Sequence, residues 1–139
     1  MLSHIVYVSK RKSICTDAEI EKILASCTKN NPPLNITGVL LYSDQKFIQY
    51  VEGEYKNIMQ LYDKIKLDPR HDSVAMVSIG PIDNRIFPSW NMGSKKVHFD
   101  NVNFITDISS DDKVLINNIL SGKEESGRKV QSLVMKLFS

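Results

Sequence analysis

Two short runs of β-type residues, joined by a polar turn, constrain the fold of this chain more than any other feature. The first run covers residues 36–42 and the second covers residues 46–52. Because side chains alternate between the two faces of a strand, Gln49 shares a face with Phe47 and Val51. A glutamine on that inward face must find a hydrogen-bond partner, because an unsatisfied buried amide costs about 1–3 kcal/mol.

An earlier segment supplies a candidate partner for Gln49. Residues 3–9 also have a β pattern, and Tyr7 shares one face of this segment with Ile5 and Ser9. If the two strands are neighbours, the Tyr7 hydroxyl and the Gln49 amide meet across the sheet. A ligand held in the core is the alternative partner for the amide.

Two segments show helical periodicity. Thr16 and Glu19 form a capping box, and apolar residues then recur at helical spacing. The segment Asn31-Pro32-Pro33 is expected to stop this helix. A second apolar stripe begins after Glu54 and ends at Asp68, which precedes a proline. The sequence therefore predicts two helices, each following a strand.

Two further strands complete the pattern. Residues 74–79 alternate as a fourth strand, and a fifth is expected near residues 91–98. The resulting order is βαββαββ. This order predicts an α+β, ferredoxin-like sheet with both helices on one face.

Composition excludes several classes of protein. The 139 residues are expected to form one domain with a short appendage, and 42% hydrophobic with 24% charged residues is typical of a globular chain. No apolar run is long enough to span a membrane, and no signal peptide is apparent. Two separated cysteines indicate a reducing cytoplasm and no metal site, and a net charge of +2 does not favour nucleic-acid binding.

The C-terminal part differs from the rest. Residues 1–98 are expected to form the domain, and residues 99–139 an extension of two short amphipathic helices. The apolar stripe of the last helix needs a covering surface, either the open face of the domain's own sheet or another protein. The two stripes consist of Val114, Leu115, Ile119 and Leu120, and of Val130, Leu133, Val134, Leu137 and Phe138.

Several short motifs follow one another between residue 2 and about residue 98. They are Tyr7, Asn30-Asn31-Pro32, Ile36-Thr37-Gly38, Phe47-Ile48-Gln49, Glu52-Gly53-Glu54, residues 64–68, Arg70-His71, Phe87, Trp90 and Met92. Each motif alone is weak, but their combination in one compact domain is specific. In order and spacing they resemble the motifs of the BLUF family, blue-light sensors that hold a flavin without a covalent bond.

The resemblance implies a photochemical switch made of Tyr7 and Gln49. Flavin excitation would drive electron and proton transfer from the phenol, and Gln49 would bridge the phenol and the ring, because a carboxamide both donates and accepts hydrogen bonds. Rotation and tautomerisation of the amide are both open. Trp90 and Met92, two residues apart on the last strand, would relay the signal; core filling is their structural alternative.

The resemblance also implies a set of flavin-binding residues. The expected cofactor is FAD, with FMN or riboflavin as alternatives. Lys64 stands in place of a more usual arginine and cannot fork across two acceptors, and Cys27 stands in place of a frequent serine. The residues implied to bind the flavin are Ile23, Cys27, Asn30, Asn31, Ile36, Phe47, Lys64, Ile65, Asp68 and His71.

Several of these residues also have ordinary structural interpretations. Asn30 and Asn31 suit a left-handed cap at the end of the first helix. Lys64 and Asp68 are spaced as an exposed ion pair on the second helix, and His71 suits a turn or a helix end. The apolar residues of the set are equally well explained as core.

Three functions remain open from the sequence. The first is a blue-light photoreceptor that is not an enzyme and signals to an unknown partner protein as a homo-oligomer. The second is an acylphosphatase-like enzyme, although residues 10–13 lack the glycines of a phosphate loop. The third is a ligand-binding regulatory module without photochemistry. About 40 residues after residue 98 are too few for a fused cyclase or phosphodiesterase domain.

Overall fold

The computed structural model describes residues 1–88, 92–96, 114, 118, 129 and 131–133. Five strands and two helices within residues 1–96 have defined bounds. The elements follow the predicted order βαββαββ. Their bounds are β1 Leu2–Arg11, α1 Asp17–Leu34, β2 Thr37–Tyr42, β3 Lys46–Glu54, α2 Tyr55–Leu67, β4 His71–Pro81 and β5 Gly93–Lys96.

The strands form one mixed sheet in the order β4-β1-β3-β2-β5. All neighbours are antiparallel except β2 and β5, which run parallel. Both helices pack on one face of the sheet: Ile20 of α1 lies in one buried cluster with Leu40 and Phe47, and Ile58 of α2 lies in another with Tyr7. The ferredoxin-like prediction is confirmed.

The first helix begins where the capping box predicts. Thr16 has an extended backbone, and its side-chain oxygen accepts a hydrogen bond of 3.3 Å from the backbone N–H of Glu19. This bond satisfies one of the amides that a helix N-terminus leaves without an internal partner.

The predicted end of this helix is wrong. The helix passes through Pro32 and Pro33 and ends at Leu34, and the left-handed cap is Asn35 with φ 52°, not Asn30 or Asn31. Pro32 and Pro33 have no N–H to donate, but their fixed φ of about −65° is compatible with a helix. Here the Asn35 N–H bonds the carbonyls of Asn31 and Pro32, which closes the turn.

Strand lengths also differ from the predicted ones. β3 continues to Glu54, and β4 begins three residues early at His71. Long-range pairing with β1 explains both differences, because Leu2 lies opposite Glu54 and Arg11 lies opposite His71. Local alternation does not reveal such partners. β5 is Gly93–Lys96, inside the predicted segment.

The motif at residues 36–38 shapes the start of β2. Ile36 is fully buried, and the Thr37 hydroxyl accepts a hydrogen bond of 2.8 Å from Arg85. A Cβ at Gly38 would clash with the carbonyl oxygen of Tyr50 on β3. Glycine is therefore required where the two strands approach each other most closely.

Strand β3 presents two sets of side chains. The face of the sheet that carries α1 and α2 is called the helix face, and the opposite face is called the far face. On β3, the helix face carries Phe47, Gln49 and Val51, whereas the far face carries Ile48, Tyr50 and Glu52. All six side chains are buried. A single strand thus places a polar group in the core on each side of the sheet.

The described tail residues are few. Residues 131–133 are helical, Leu133 is only 2% exposed, and Val114 is 59% exposed. Among the described residues, no helix has the length and apolar character needed to cross a membrane. The other residues of the two predicted tail stripes lie outside the described part: Leu115, Ile119, Leu120, Val130, Val134, Leu137 and Phe138.

Candidate functional site

A cavity of about 210 Å³ lies between the helix face of the sheet and the two helices. Its walls come from α1, α2, the three central strands and the turn after α2. The lining residues are Tyr7, Ile23, Ser26, Cys27, Leu40, Phe47, Gln49, Leu61, Lys64, Ile65, Asp68, Arg70 and His71.

Tyr7 and Gln49 meet at this cavity as the alternation predicts. They lie directly opposite each other in the β1–β3 register. The Tyr7 hydroxyl donates a hydrogen bond to Gln49 Oε1, and the two residues are 1% and 4% exposed. The buried glutamine therefore has a side-chain partner on the neighbouring strand.

The other end of the Gln49 amide bonds a softer partner. Gln49 Nε2 donates to the thioether sulfur of Met92 across 3.3 Å. A thioether sulfur accepts weakly and cannot donate. Met92 therefore favours the orientation in which the amide nitrogen points toward the sulfur and the amide oxygen points toward Tyr7.

Burial determines the protonation state of Tyr7. It raises the pKa of the Tyr7 phenol well above its usual value, and the nearby Cys27 and Asp68 raise it further. The phenol is therefore neutral at physiological pH. Its proton is available as a donor to Gln49.

The turn after α2 contains an ion pair that the sequence interpretation missed. Asp68 is the C-cap of α2, with an extended backbone, and Arg70 Nη2 lies 2.6 Å from Asp68 Oδ2. The hydrogen bonds from Arg70 lower the pKa of Asp68. The expected Lys64–Asp68 ion pair is wrong, because the carboxylate turns toward Arg70, while Lys64 lines the cavity with an exposed side chain.

His71 is the first residue of β4 rather than part of a turn or a helix end. Its Nδ1 lies 2.8 Å from the Ser9 hydroxyl, and its ring contacts Phe47 with centroids 4.7 Å apart. Burial lowers the pKa of His71 to about 4, partly opposed by Asp68. The ring is therefore neutral at physiological pH.

The two predicted asparagines differ in environment. Asn30 is exposed on α1, whereas Asn31 is buried and hydrogen-bonds the Cys27 thiol one turn earlier. Burial raises the pKa of Cys27, and the hydrogen bond from Asn31 opposes that rise. Cys27 lines the cavity, so this pair connects a buried carboxamide to the cavity wall.

The predicted apolar walls are largely at the cavity. Ile23, Phe47 and Ile65 line it, but Ile36 lies in the core cluster that contains Tyr7. Ser26, Leu40 and Leu61 also line the cavity and were not predicted. Their apolar and small side chains carry no signal that distinguishes a ligand wall from core. Trp90 lies outside the described residues.

The lining suits a flat heteroaromatic ring with a polar edge. Apolar side chains from both helices and the sheet form its walls, and the carboxamide of Gln49, the carboxylate of Asp68 and the guanidinium of Arg70 supply hydrogen-bonding groups. Among the described residues, no three His, Cys, Asp or Glu side chains are grouped as metal ligands. The donor set therefore fits a flavin ring.

Comparison with known proteins identifies the family. A sequence profile described as "BLUF: Sensors of blue-light using FAD" matches residues 2–93. The beta subunit of a photoactivated adenylate cyclase from Euglena longa is 35% identical over 94 residues, and the corresponding subunit from Euglena gracilis is 32% identical. Each match covers 67% of this chain and 11% of the relative.

Solved structures agree with the sequence matches. A bacterial light-regulated adenylyl cyclase is 29% identical with a TM-score of 0.70, covering 89% of this chain and 40% of the other. BlrB, a BLUF protein in its dark state, is 26% identical with a TM-score of 0.71, covering 94% and 96%. These matches favour the photoreceptor over the acylphosphatase-like enzyme and the non-photochemical module. The chain belongs to the BLUF family of blue-light sensors that use FAD.

Proposed function

We propose that this chain senses blue light through a switch formed by Tyr7 and Gln49 and signals to a separate protein. The observation that carries this proposal is the buried hydrogen bond from the Tyr7 hydroxyl to Gln49 Oε1 at the cavity wall. In such a pair the phenol can give its proton to the carboxamide, and the hydrogen bonds of the carboxamide can then rearrange.

The cavity residues have distinct roles in holding the flavin. Ile23, Phe47 and Ile65 pack against the ring, and Lys64 and Asp68 bind its polar edge. Arg70 keeps Asp68 ionised and oriented through its hydrogen bonds. Flavin binding by the other residues of the set stays a prediction; these are Cys27, Asn30, Asn31, Ile36 and His71.

A bound flavin supplies absorption of blue light and, in its excited state, an acceptor for one electron. Tyr7 would be the electron donor, because its phenol is buried at the cavity with a hydrogen-bond acceptor already in place. An oxidised phenol is a strong acid, so its proton would move along the existing hydrogen bond to Gln49 and would return to Tyr7 when the electron comes back from the flavin. The raised pKa of Tyr7 keeps that proton on the phenol in the dark.

Gln49 converts this transfer into a lasting change. Rotation or tautomerisation of its amide changes the pattern of donors and acceptors that it presents to Tyr7 and Met92. In the dark arrangement the amide nitrogen donates to the Met92 sulfur. A rearranged amide weakens that contact, so Met92 and the strand that follows it are the first elements outside the cavity to respond.

The family match supports the sensing step for this chain, because the sensor profile covers residues 2–93. We assign the output to a partner protein and the transmitting surface to the tail or a homo-oligomer contact. The two free cysteines suit a cytoplasmic location.

Absorption spectroscopy tests the proposal. Purified protein loaded with FAD is expected to be yellow and to show a red shift of its flavin band under blue light that reverses in the dark. A protein that binds FAD but shows no reversible shift contradicts the proposed function. The exposed Tyr55→Phe variant is the matched control and should behave as wild type.

A further inference from the structure

A second buried polar cluster lies on the far face, away from the cavity. Glu52 is completely buried, and its carboxylate accepts hydrogen bonds from two consecutive backbone amides. Ile86 N lies 2.8 Å from Oε2, and Phe87 N lies 2.8 Å from Oε1. A buried carboxylate requires such donors, since an uncompensated charge in the core is strongly destabilising. The carboxylate therefore fixes the turn at residues 86–87 onto β3.

Arg85 reinforces the same attachment. Its guanidinium donates to the Thr37 hydroxyl at 2.8 Å, to the Glu52 carbonyl at 3.1 Å and to the Asn35 carbonyl at 2.7 Å. Thr37 begins β2, Glu52 lies near the end of β3, and Asn35 is the C-cap of α1. The segment that leads toward Met92 is thus anchored before it reaches the switch.

Tyr50 connects this anchor to the tail. Its hydroxyl accepts a hydrogen bond of 3.3 Å from Gln131 Nε2 and lies close enough to the Glu52 carboxylate for that carboxylate to raise the pKa of the phenol. Its ring stacks on His4 and contacts the edge of Phe87, with centroid distances of 5.9 Å in both cases. Burial and the adjacent Glu52 raise the pKa of Tyr50, so the phenol stays neutral at physiological pH.

We propose that Tyr50 and Glu52 are positioning residues that latch tail residue Gln131 to the turn at residues 86–87 and thereby couple the tail to the light switch. The latch consists of Gln131, Tyr50, Glu52 and the amides of Ile86 and Phe87. It rests on the proposed function, since it gives the Tyr7–Gln49 switch a route to the tail.

Two connections join the latch to the switch. Tyr50 and Gln49 are adjacent in β3, so any shift of the backbone at Gln49 moves the Tyr50 hydroxyl relative to Gln131. The clamped turn at residues 86–87 precedes Met92, which accepts the hydrogen bond from Gln49. A small change at the switch can therefore shift a two-state equilibrium of the tail between latched and released arrangements.

Removal of one hydroxyl tests the latch. Tyr50→Phe keeps the ring contacts with His4 and Phe87 but removes the link between Gln131 and Glu52. Hydrogen exchange of the backbone amides around residues 129–133 in the dark is expected to accelerate about two- to tenfold, the factor for one hydrogen bond of ordinary strength. Flavin binding and the amplitude of the red shift are expected to remain, and the light-induced change in tail exchange should disappear.

Further variants separate a latch from a general loss of packing. Gln131→Leu should release the tail to the same extent, and the double variant should add little to either single change. Exchange within α1 and α2 should stay at wild-type rates, and Tyr55→Phe is the matched control. Wild-type tail exchange in Tyr50→Phe overturns the latch, as does equal acceleration across the whole domain.

The same experiment distinguishes failure of the latch from failure of the proposed function. The exchange difference between Tyr50→Phe and Tyr55→Phe in the dark reports on the latch and needs no photochemistry. The red shift of the wild-type protein reports on the switch and needs no tail contact. A red shift without release of the tail contradicts only the latch.

Discussion

The two faces of β3 hold two polar networks that share a strand but end in different acceptors. On the helix face, Tyr7 donates to Gln49, which donates to the sulfur of Met92. On the far face, Gln131 donates to Tyr50, whose hydroxyl lies beside the Glu52 carboxylate, and this carboxylate accepts hydrogen bonds from two backbone amides. The first network ends in a weak acceptor and the second in a charged one. The difference separates a network that can rearrange from one that holds its position.

Energies explain the separation. A neutral hydrogen bond contributes about 0.5–1.5 kcal/mol net and one to a charged group about 1.5–3 kcal/mol, and a thioether is weaker than either oxygen acceptor. The Gln49 amide, which is held at one end by a sulfur, therefore has other hydrogen-bonding arrangements close in free energy. The Glu52 carboxylate, which is bound by backbone N–H groups, has no other arrangement of comparable free energy. The helix face is suited to switching and the far face to anchoring.

Removing the hydroxyl of Tyr7 or of Tyr50 gives the largest expected difference between the two networks. Tyr7→Phe should bind flavin yet form no red-shifted state, because the variant has no phenolic proton to transfer, whereas Tyr50→Phe should keep the shift. Absorption spectra before and after blue light measure both. Tyr62→Phe is the control, since its ring contacts Tyr7 edge-on at 5.8 Å. A wild-type photocycle in Tyr7→Phe would remove the assignment of the helix-face network as the switch.

The buried histidines of the two faces predict a pH dependence of stability. His71 titrates near 6.5 when unfolded and at about 4 when folded, because burial disfavours its charged form. The unfolded state therefore binds more protons between these values. The contribution of His71 to the free energy of unfolding is fully present above about pH 6.5. It falls by up to about 3 kcal/mol as the pH drops toward 4.

Denaturant unfolding at pH 7.5 and pH 5 checks this prediction. His71→Gln should lose part of the decrease seen in wild type. His4 on the far face also has a pKa lowered by burial, so His4→Gln should act with the same sign. An unchanged pH dependence in His71→Gln would show that the helix-face histidine is not titrating in this window.

The neighbouring asparagines test whether the helix face binds the flavin beyond the cavity wall. Asn31→Ala is expected to weaken flavin affinity about 5- to 150-fold, equivalent to about 1–3 kcal/mol for an unpaired polar edge. Asn30→Ala tests the other predicted asparagine, which is exposed. Fluorescence titration with FAD measures both variants. Wild-type affinity in Asn31→Ala would leave Asn31 with a structural role beside Cys27.

The smallest expected effect concerns the weak acceptor. Met92→Leu removes the sulfur that receives the Gln49 N–H, a loss of about 0.5 kcal/mol, so dark recovery should change only about twofold. The red shift itself should persist. Loss of the red shift in Met92→Leu would show that Met92 is required for the switch. It would contradict the view that the helix-face network ends in a weak acceptor.

Much of the fold was predictable because its signals are local. Alternation located the strands, and the Thr16 capping box located the first helix. Face sharing also predicted the contact between Tyr7 and Gln49, because the position of each residue along its strand determines the face it occupies. These inferences need only neighbouring residues and the geometry of regular elements.

The missed features depend on distant partners. The first helix continues through Pro32 and Pro33 and ends only where the Asn35 N–H bonds carbonyls of the last turn. Arg70 turned out to be the partner of Asp68 because α2 ends in an extended cap. Glu52 and its amide donors are more than 30 positions apart in the sequence. No local pattern contains such information, and the relay role of Trp90 stays a prediction.

The most direct test of the account compares the two glutamines that hydrogen-bond tyrosines on opposite faces. Gln49→Leu and Gln131→Leu are each loaded with FAD, and the light-minus-dark absorption spectrum is recorded under blue light. Gln49→Leu is predicted to keep its flavin and lose the reversible red shift, while Gln131→Leu keeps the shift at wild-type amplitude. A red shift of wild-type amplitude in Gln49→Leu would contradict the assignment of the helix-face network as the light switch.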